Sequence, residues 1–170
     1  MFDLVIRGGT IIDGTGREAF PADVGIQGAY VRALGDLDGV QAGEILDAQG
    51  LTVCPGFIDM HTHSDLSLME DPRGQSKVRQ GVTTELVGQC GFSAFPLRES
   101  ESRIPPSTMQ TTFSADVPQV DWVDLAGYST RIGRRGSAIN IAPLVGHATV
   151  RARIGRAPDG QVAILSWHAL

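Results

Sequence analysis

The segment "VCPGFIDMHTHSD", Val53–Asp65, decides how the whole chain is read. With Leu51 and Thr52 before it, it forms a run too apolar for a loop, and it ends in His61 and His63, two of only four histidines in the sequence. A run of this kind predicts a buried β-strand over "LTVCPGFIDMH". Side chains alternate faces along a strand, so His61 and His63 point one way and Thr62 the other. Their backbone origins then lie about 6 to 7 Å apart, close enough for two imidazoles to converge on one cation. Asp59 shares their parity and reads either as a hydrogen-bond partner that orients one imidazole or as a backbone cap. His-x-His alone is a weak motif, so its surroundings have to carry the argument.

Downstream, the pattern alternates between strand and helix. The polar, helix-length stretch "EDPRGQSKVRQ", Glu70–Gln80, is stopped by Gly81, and the β-branched "VTTELVG" follows as a second strand. Strand, helix and strand in this compass predict a right-handed βαβ unit with parallel strands. The cycle repeats with a helix over Asp121–Ile132, where Trp122, Leu125, Tyr128 and Ile132 form one core-facing stripe, and with "AINIAPLV" as a third strand. Between the second strand and this helix lies "GFSAFPLRESESRIPPSTMQTTFSADVPQV". It is rich in Pro, Ser and Thr and reads as a lid or binding loop, or else as disorder.

Parallel strands share one rim at their C-terminal ends, and ligand sites lie there. His61 and His63 close the first strand, Cys90 follows the second in "VGQCGFS", and His147 follows the third in "LVGHATVR". Three consecutive units therefore bring metal-ligating residue types to a common rim. The glycines beside Cys90 let backbone approach closely and leave its sulfur accessible. His147 reads as a substrate or outer contact, or as a structural hydrogen bond at the rim. Cys54, inside the apolar run before Pro55, reads as a packed thiol, with a Cys54–Cys90 disulfide as the alternative. His168 has no strand end beside it and is not counted as a ligand.

The first fifty residues read as short strands and hairpins, with turns at Asp13-Gly14, Gly28 and Gln49-Gly50. The glycines of "GGTIIDGTG" belong to turn chemistry; no Lys-Ser/Thr follows them as a phosphate loop requires. At 170 residues, 42% apolar and 19% charged, the chain falls among ordinary soluble globular proteins with material for one core. A net charge of −5 without a basic cluster argues against a nucleic-acid surface. No window approaches the roughly 20 apolar residues of a membrane helix, and the start has no secretory signal. Two cysteines are too few for a disulfide framework, so the cytoplasm is the expected compartment.

"VCPGFIDMHTHSD" resembles the opening-strand signature of the amidohydrolase superfamily, metal-dependent hydrolases on a (β/α)8 barrel. With "GVTTELVGQCGFS" and "APLVGHATVR" it resembles the D-aminoacylase branch, the N-acyl-D-amino-acid deacylases, and the likeness runs from the first residues to about Arg151. "IRGGTIIDGTG" and "ADVGIQGAYVRALGDL" resemble the small β-domain of that family. The resemblance implies an α/β fold: residues 1–52 as part of a small β-sandwich domain, and 53–170 as the first three strand-helix units of an incomplete barrel. It implies that His61 and His63 bind one zinc and that Cys90 is the cysteine ligand of the tightly held or bridging site. Nickel or cobalt suit the same donors. The implied reaction is hydrolysis of an N-acyl-D-amino acid to a carboxylate and a D-amino acid, by water activated at zinc with an aspartate shuttling the proton.

The family's two further histidine ligands and its general-base aspartate come from later strands, so no catalytic residue is expected in this chain. A complete barrel takes about 250 residues. The expectation is therefore an N-terminal piece of a longer enzyme, truncated or frameshifted, poorly soluble and inactive by itself. A non-catalytic zinc-binding or interaction module is the alternative from a different class.

Overall fold

The computed structural model describes residues 1–97 and 120–154. Most of the expected long loop, the turn at Pro158-Asp159-Gly160 and His168 lie outside the described residues. The chain divides into two compact units, Met1–Pro55 and Gly56–Leu170.

The first unit is one five-stranded sheet. β1 (Phe2–Ile11) is its centre, antiparallel to β2 (Phe20–Gln27) and parallel to β4 (Ala42–Asp47) and to the short β5 (Thr52–Val53), while β3 (Tyr30–Gly35) pairs antiparallel with β2. The turn between β2 and β3 is made by Gly28 and Ala29, with Gly28 at φ 59°, as the sequence predicts. Val5, Ile11 and Val24 are buried in this unit. The β1–β2 register shifts between Ile6 and Gly9, and Gly8 adopts φ 74° in the bulge. A bulge leaves a backbone group out of the ladder. Here Gly8 N–H donates to Asp23 Oδ1 at 2.8 Å and Leu37 N–H donates to Asp23 Oδ2 at 3.0 Å.

The second unit is built on three parallel strands in the order β6 (Phe57–Asp59), β7 (Val82–Val87), β8 (Asn140–Pro143). The run "LTVCPGFIDMH" is two strands and not one. β5 ends at Val53 in the first unit, β6 begins at Phe57 in the second, and Phe57, Ile58 and Met60 are exposed. Pro55 has no N–H to offer a ladder, which ends the first segment. Cys54 is likewise exposed in the connector and not packed, and both cysteines are free thiols.

The helix expected over Glu70–Gln80 is replaced by two single turns, α1 (Ser67–Glu70) and α2 (Gln75–Val78). Pro72 cannot continue a helix and Gly74 takes φ 51°, where an added Cβ would meet Ile139 Cδ1 at 2.7 Å. α3 (Leu125–Arg135) starts later than the stripe predicts, because the Asp124 side chain caps it by accepting Gly127 N–H at 2.8 Å. Leu125 is therefore half-exposed, and Trp122 stands before the helix. Trp122 and Tyr128 still anchor the core with Leu66, Met69, Ala94, Phe95, Leu97 and Val120, and Ile132 packs against them. Both aromatics have polar partners: Trp122 Nε1–H donates to Ala94 O at 2.8 Å and Tyr128 O–H donates to Asp65 O at 2.8 Å. Burial, with the charges of Asp65 and Glu85 nearby, raises the Tyr128 hydroxyl's pKa.

α4 (His147–Ile154) follows β8 and is latched to the loop after β7. Ala148 N–H donates to Gly91 O at 2.8 Å, Ser93 N–H donates to Thr149 Oγ1 at 2.9 Å, and Gly146 N–H donates to Ser93 Oγ at 2.9 Å. Ser93 is fully buried, so the two bonds that involve it form away from water. No helix among the described residues is long and apolar enough to cross a membrane.

Asp23→Ala strips the acceptor from two backbone donors and is expected to cost about 1–3 kcal/mol, read by urea denaturation. The Gly8 N–H, with Leu37 N–H and nearby Arg7 assisting, holds the Asp23 carboxyl below its ordinary range against the opposing effect of burial. Its contribution is present above the unfolded carboxyl's pKa of about 3.9 and is lost as pH falls through the lower folded value. The Asp23→Ala variant should therefore lose less stability on acidification than the parent. Ser93→Ala leaves the Gly146 N–H without its acceptor; about 1–3 kcal/mol of destabilisation and faster hydrogen exchange at the Gly146 amide are expected.

Candidate metal centre

β6 and β7 run side by side, with Ile58 opposite Thr84 and Asp59 opposite Glu85, so their C-terminal ends open together. His61 and His63 leave the end of β6. The turn that carries them is shaped by Asp59, whose Oδ1 accepts His61 N–H at 3.1 Å. Of the two readings of Asp59, the backbone cap is the one the structure shows. The imidazole rings stand 5.6 Å apart at 70° to each other. Thr62, between them, is buried, although the strand itself ends at Asp59 and the pair lies in the turn beyond it.

Cys90 arrives from the end of β7. Its backbone sits at φ 54°, an uncommon conformation for a residue with a side chain, between Gly88 and Gly91, both at φ 82°. A Cβ at Gly88 would lie 2.3 Å from Leu144 O, so only glycine lets the two loops approach. The Gln89 side chain reaches back, donating to Met60 O at 3.0 Å and to Leu86 O at 3.2 Å, and so ties the end of one strand to the other. The result is a contact of 3.2 Å between His61 Nε2 and Cys90 Sγ, and donor atoms of His61, His63 and Cys90 all within 4.8 Å of one another. Cys90 and His61 are exposed and His63 is half-buried, so the group faces a mouth accessible from solvent.

His147 does not join them: it opens α4, is exposed, and is not in the donor group found among the described residues. The donor chemistry suits a borderline-soft divalent ion, since two imidazoles and a thiol are the ligand types zinc takes, and three protein donors leave a position open.

Several polar residues behind the rim escaped the sequence reading. Lys77 Nζ, from α2, lies 2.5 Å from Asp59 Oδ2, 3.3 Å from Thr62 Oγ1 and 3.5 Å from Glu85 Oε1. The Lys77 hydrogen bond, followed by that of His61 N–H, holds the Asp59 carboxyl below its usual range; Asp59 in turn raises Lys77. Glu85 is fully buried in the central strand, and Asp65, 1% exposed, follows the histidines. Burial pushes the Asp65 carboxyl up to about 6, with the Glu85 charge adding to it and backbone N–H donors opposing. The available signal was Glu85 itself, a carboxylate in an otherwise apolar and β-branched strand.

The chain that carries this group is similar to proteins of known family. Residues 44–161 match the amidohydrolase family model. An N-acyl-D-glutamate deacylase from Alcaligenes xylosoxydans xylosoxydans is 41% identical over 169 residues, covering 99% of this chain and 33% of that protein. A D-aminoacylase from the same organism is 38% identical, covering 95% of this chain and 32% of its own length. Among solved structures, a D-aminoacylase studied for the role of its binuclear metal centre superposes with a TM-score of 0.81 at 36% identity, over 91% of this chain and 32% of that one. The N-acyl-D-glutamate deacylase of Bordetella bronchiseptica, complexed with zinc and a phosphonate mimic of the tetrahedral intermediate, superposes at 0.79 with 37% identity, over 92% and 32%. The chain thus spans about a third of the length of the relatives it matches. Matched over most of its length and folded as these hydrolases are, the chain belongs to the amidohydrolase family.

Proposed function

We propose that this chain forms the opening part of a zinc-dependent N-acyl-D-amino-acid deacylase, with residues 1–52 in a small β-sandwich domain and 53–170 as the first units of a (β/α)8 barrel. One observation carries this reading: two imidazoles and a thiol from the ends of adjacent parallel strands converge within 4.8 Å, in a chain 41% identical to a deacylase. In this reading His61, His63 and Cys90 hold the ion, Asp59 and Gln89 fix the loops that present them, and His147 stands at the rim toward the substrate. A divalent ion held there supplies Lewis-acid polarisation of an amide carbonyl and acidifies a water molecule. The apolar residues exposed on and beside the short strands, Phe57, Ile58, Leu144 and Val145, fit a sheet that further strands continue. The substrate is a small N-acyl-D-amino acid, cleaved to a carboxylate and a D-amino acid, and the general base comes from a later strand. Two free thiols suit the cytoplasm.

Titration of the purified chain against a chromophoric zinc chelator tests the donor set. One zinc per chain is expected, with affinity lowered in both His63→Asn and Cys90→Ala by at least the roughly 10- to 100-fold that losing even an outer partner costs. Parental affinity in Cys90→Ala would overturn the assignment. Incubated with zinc and N-acetyl-D-glutamate, the chain by itself is expected to release no D-glutamate; steady turnover would show that no later strand is needed.

A further inference from the structure

The donor set rests on a polar ring that neither the family likeness nor the His-x-His motif points to. Lys77 Nζ contacts Thr62 Oγ1 at 3.3 Å, Thr62 Oγ1 contacts Ser64 Oγ at 2.8 Å, Ser64 O–H donates to Glu85 Oε1 at 3.3 Å, and Glu85 Oε1 returns to Lys77 Nζ at 3.5 Å. The residues on both sides of His63 are therefore held in one closed circuit. The third contact of the ammonium, to Asp59 Oδ2 at 2.5 Å, reaches the carboxylate whose other oxygen accepts His61 N–H. An ammonium has three donor hydrogens, and Lys77 has three oxygen partners: one on β6, one between the histidines and one at the middle of β7.

We infer that Lys77 is a positioning residue for the metal donors: by joining Asp59, Thr62 and Glu85 it fixes the backbone that aims both imidazoles at Cys90. This rests on the metal-binding reading above. The alternative is a purely structural ion pair that tethers the short α2 to the sheet. The two differ in what they require. A tether needs only Asp59 or Glu85, whereas positioning runs through the Thr62 hydroxyl, which contributes nothing to holding α2 beyond one 3.3 Å contact. Charge, reach and three-way donation all come from one side chain that is itself three-quarters buried.

The test compares the parent chain with Lys77→Met, Lys77→Arg and Thr62→Val, using zinc affinity by chelator competition and the absorption spectrum of the cobalt(II) form. Lys77→Met leaves Glu85 without its cation and can unfold the unit. Thr62→Val opens the ring while leaving both ion pairs in place, so it remains decisive if the methionine variant does not fold. Positioning predicts about 10- to 100-fold weaker zinc binding in Thr62→Val and Lys77→Met. It also predicts altered cobalt d–d bands with the sulfur-to-cobalt band of Cys90 retained, and affinity within about threefold of the parent in Lys77→Arg, which keeps the charge. Parental affinity and an unchanged cobalt spectrum in a folded Thr62→Val protein overturn the inference while leaving the metal site standing. A parent chain that binds neither zinc nor cobalt overturns both.

Discussion

The parallel pairing of β6 with β7 is the constraint on which the rest depends. It sets Asp59 opposite Glu85, and so fixes how far past each strand end the chain travels before it reaches the candidate donors: two residues from Asp59 to His61, three from Val87 to Cys90. A slip of one residue would turn every side chain of β6 to the other face. The short strand does not hold that register alone. Gln89 bonds to carbonyls at the ends of both strands, and the Lys77 ammonium spans Asp59 and Glu85, so the alignment is reinforced above and below the point where the donors emerge.

The unit divides its labour between two kinds of interior. The apolar cluster around Trp122 and Tyr128 draws on the loops that follow β6 and β7 and on α3, and it anchors the chain downstream of the donors. The interior around β7 also holds charge, with Glu85 fully enclosed beside the equally buried Val87 and Asp65 nearly so. Buried carboxylates are costly unless paired, and here Glu85 Oε1 is met by Lys77 from α2 and by Ser64, the residue after His63. The interactions that offset the burial of Glu85 are thus the same ones that order the rim.

Much of this was legible from the residues. The His-x-His pair, the cysteine between glycines and the β-branched second strand pointed to a common rim, because parallel strands end together; the strand expected to run on through His61 stops at Asp59, and the pair sits in the turn after it. Local punctuation was read less well. Pro55 cuts a run that its apolar character joined, Pro72 cuts a polar stretch whose length suggested one helix, and the Asp124 cap moved a helix start past Trp122. The ring behind the donors could not be read, since Lys77 meets Asp59 and Glu85 only once α2 has folded back on the sheet. A lysine in a polar helical stretch carries no mark of that.

Cys90 occupies a left-handed backbone well at φ 54°, a region where asparagine, aspartate and histidine are the side chains most often tolerated. Its position therefore filters which ligand atoms evolution or engineering can offer there. A carboxylate from aspartate enters without rebuilding the loop, whereas a β-branched residue is refused by its own main chain whatever its chemistry. The choice between sulfur and oxygen at this corner is in that sense free, and the chemistry presented beside His61 and His63 can be changed by a single codon.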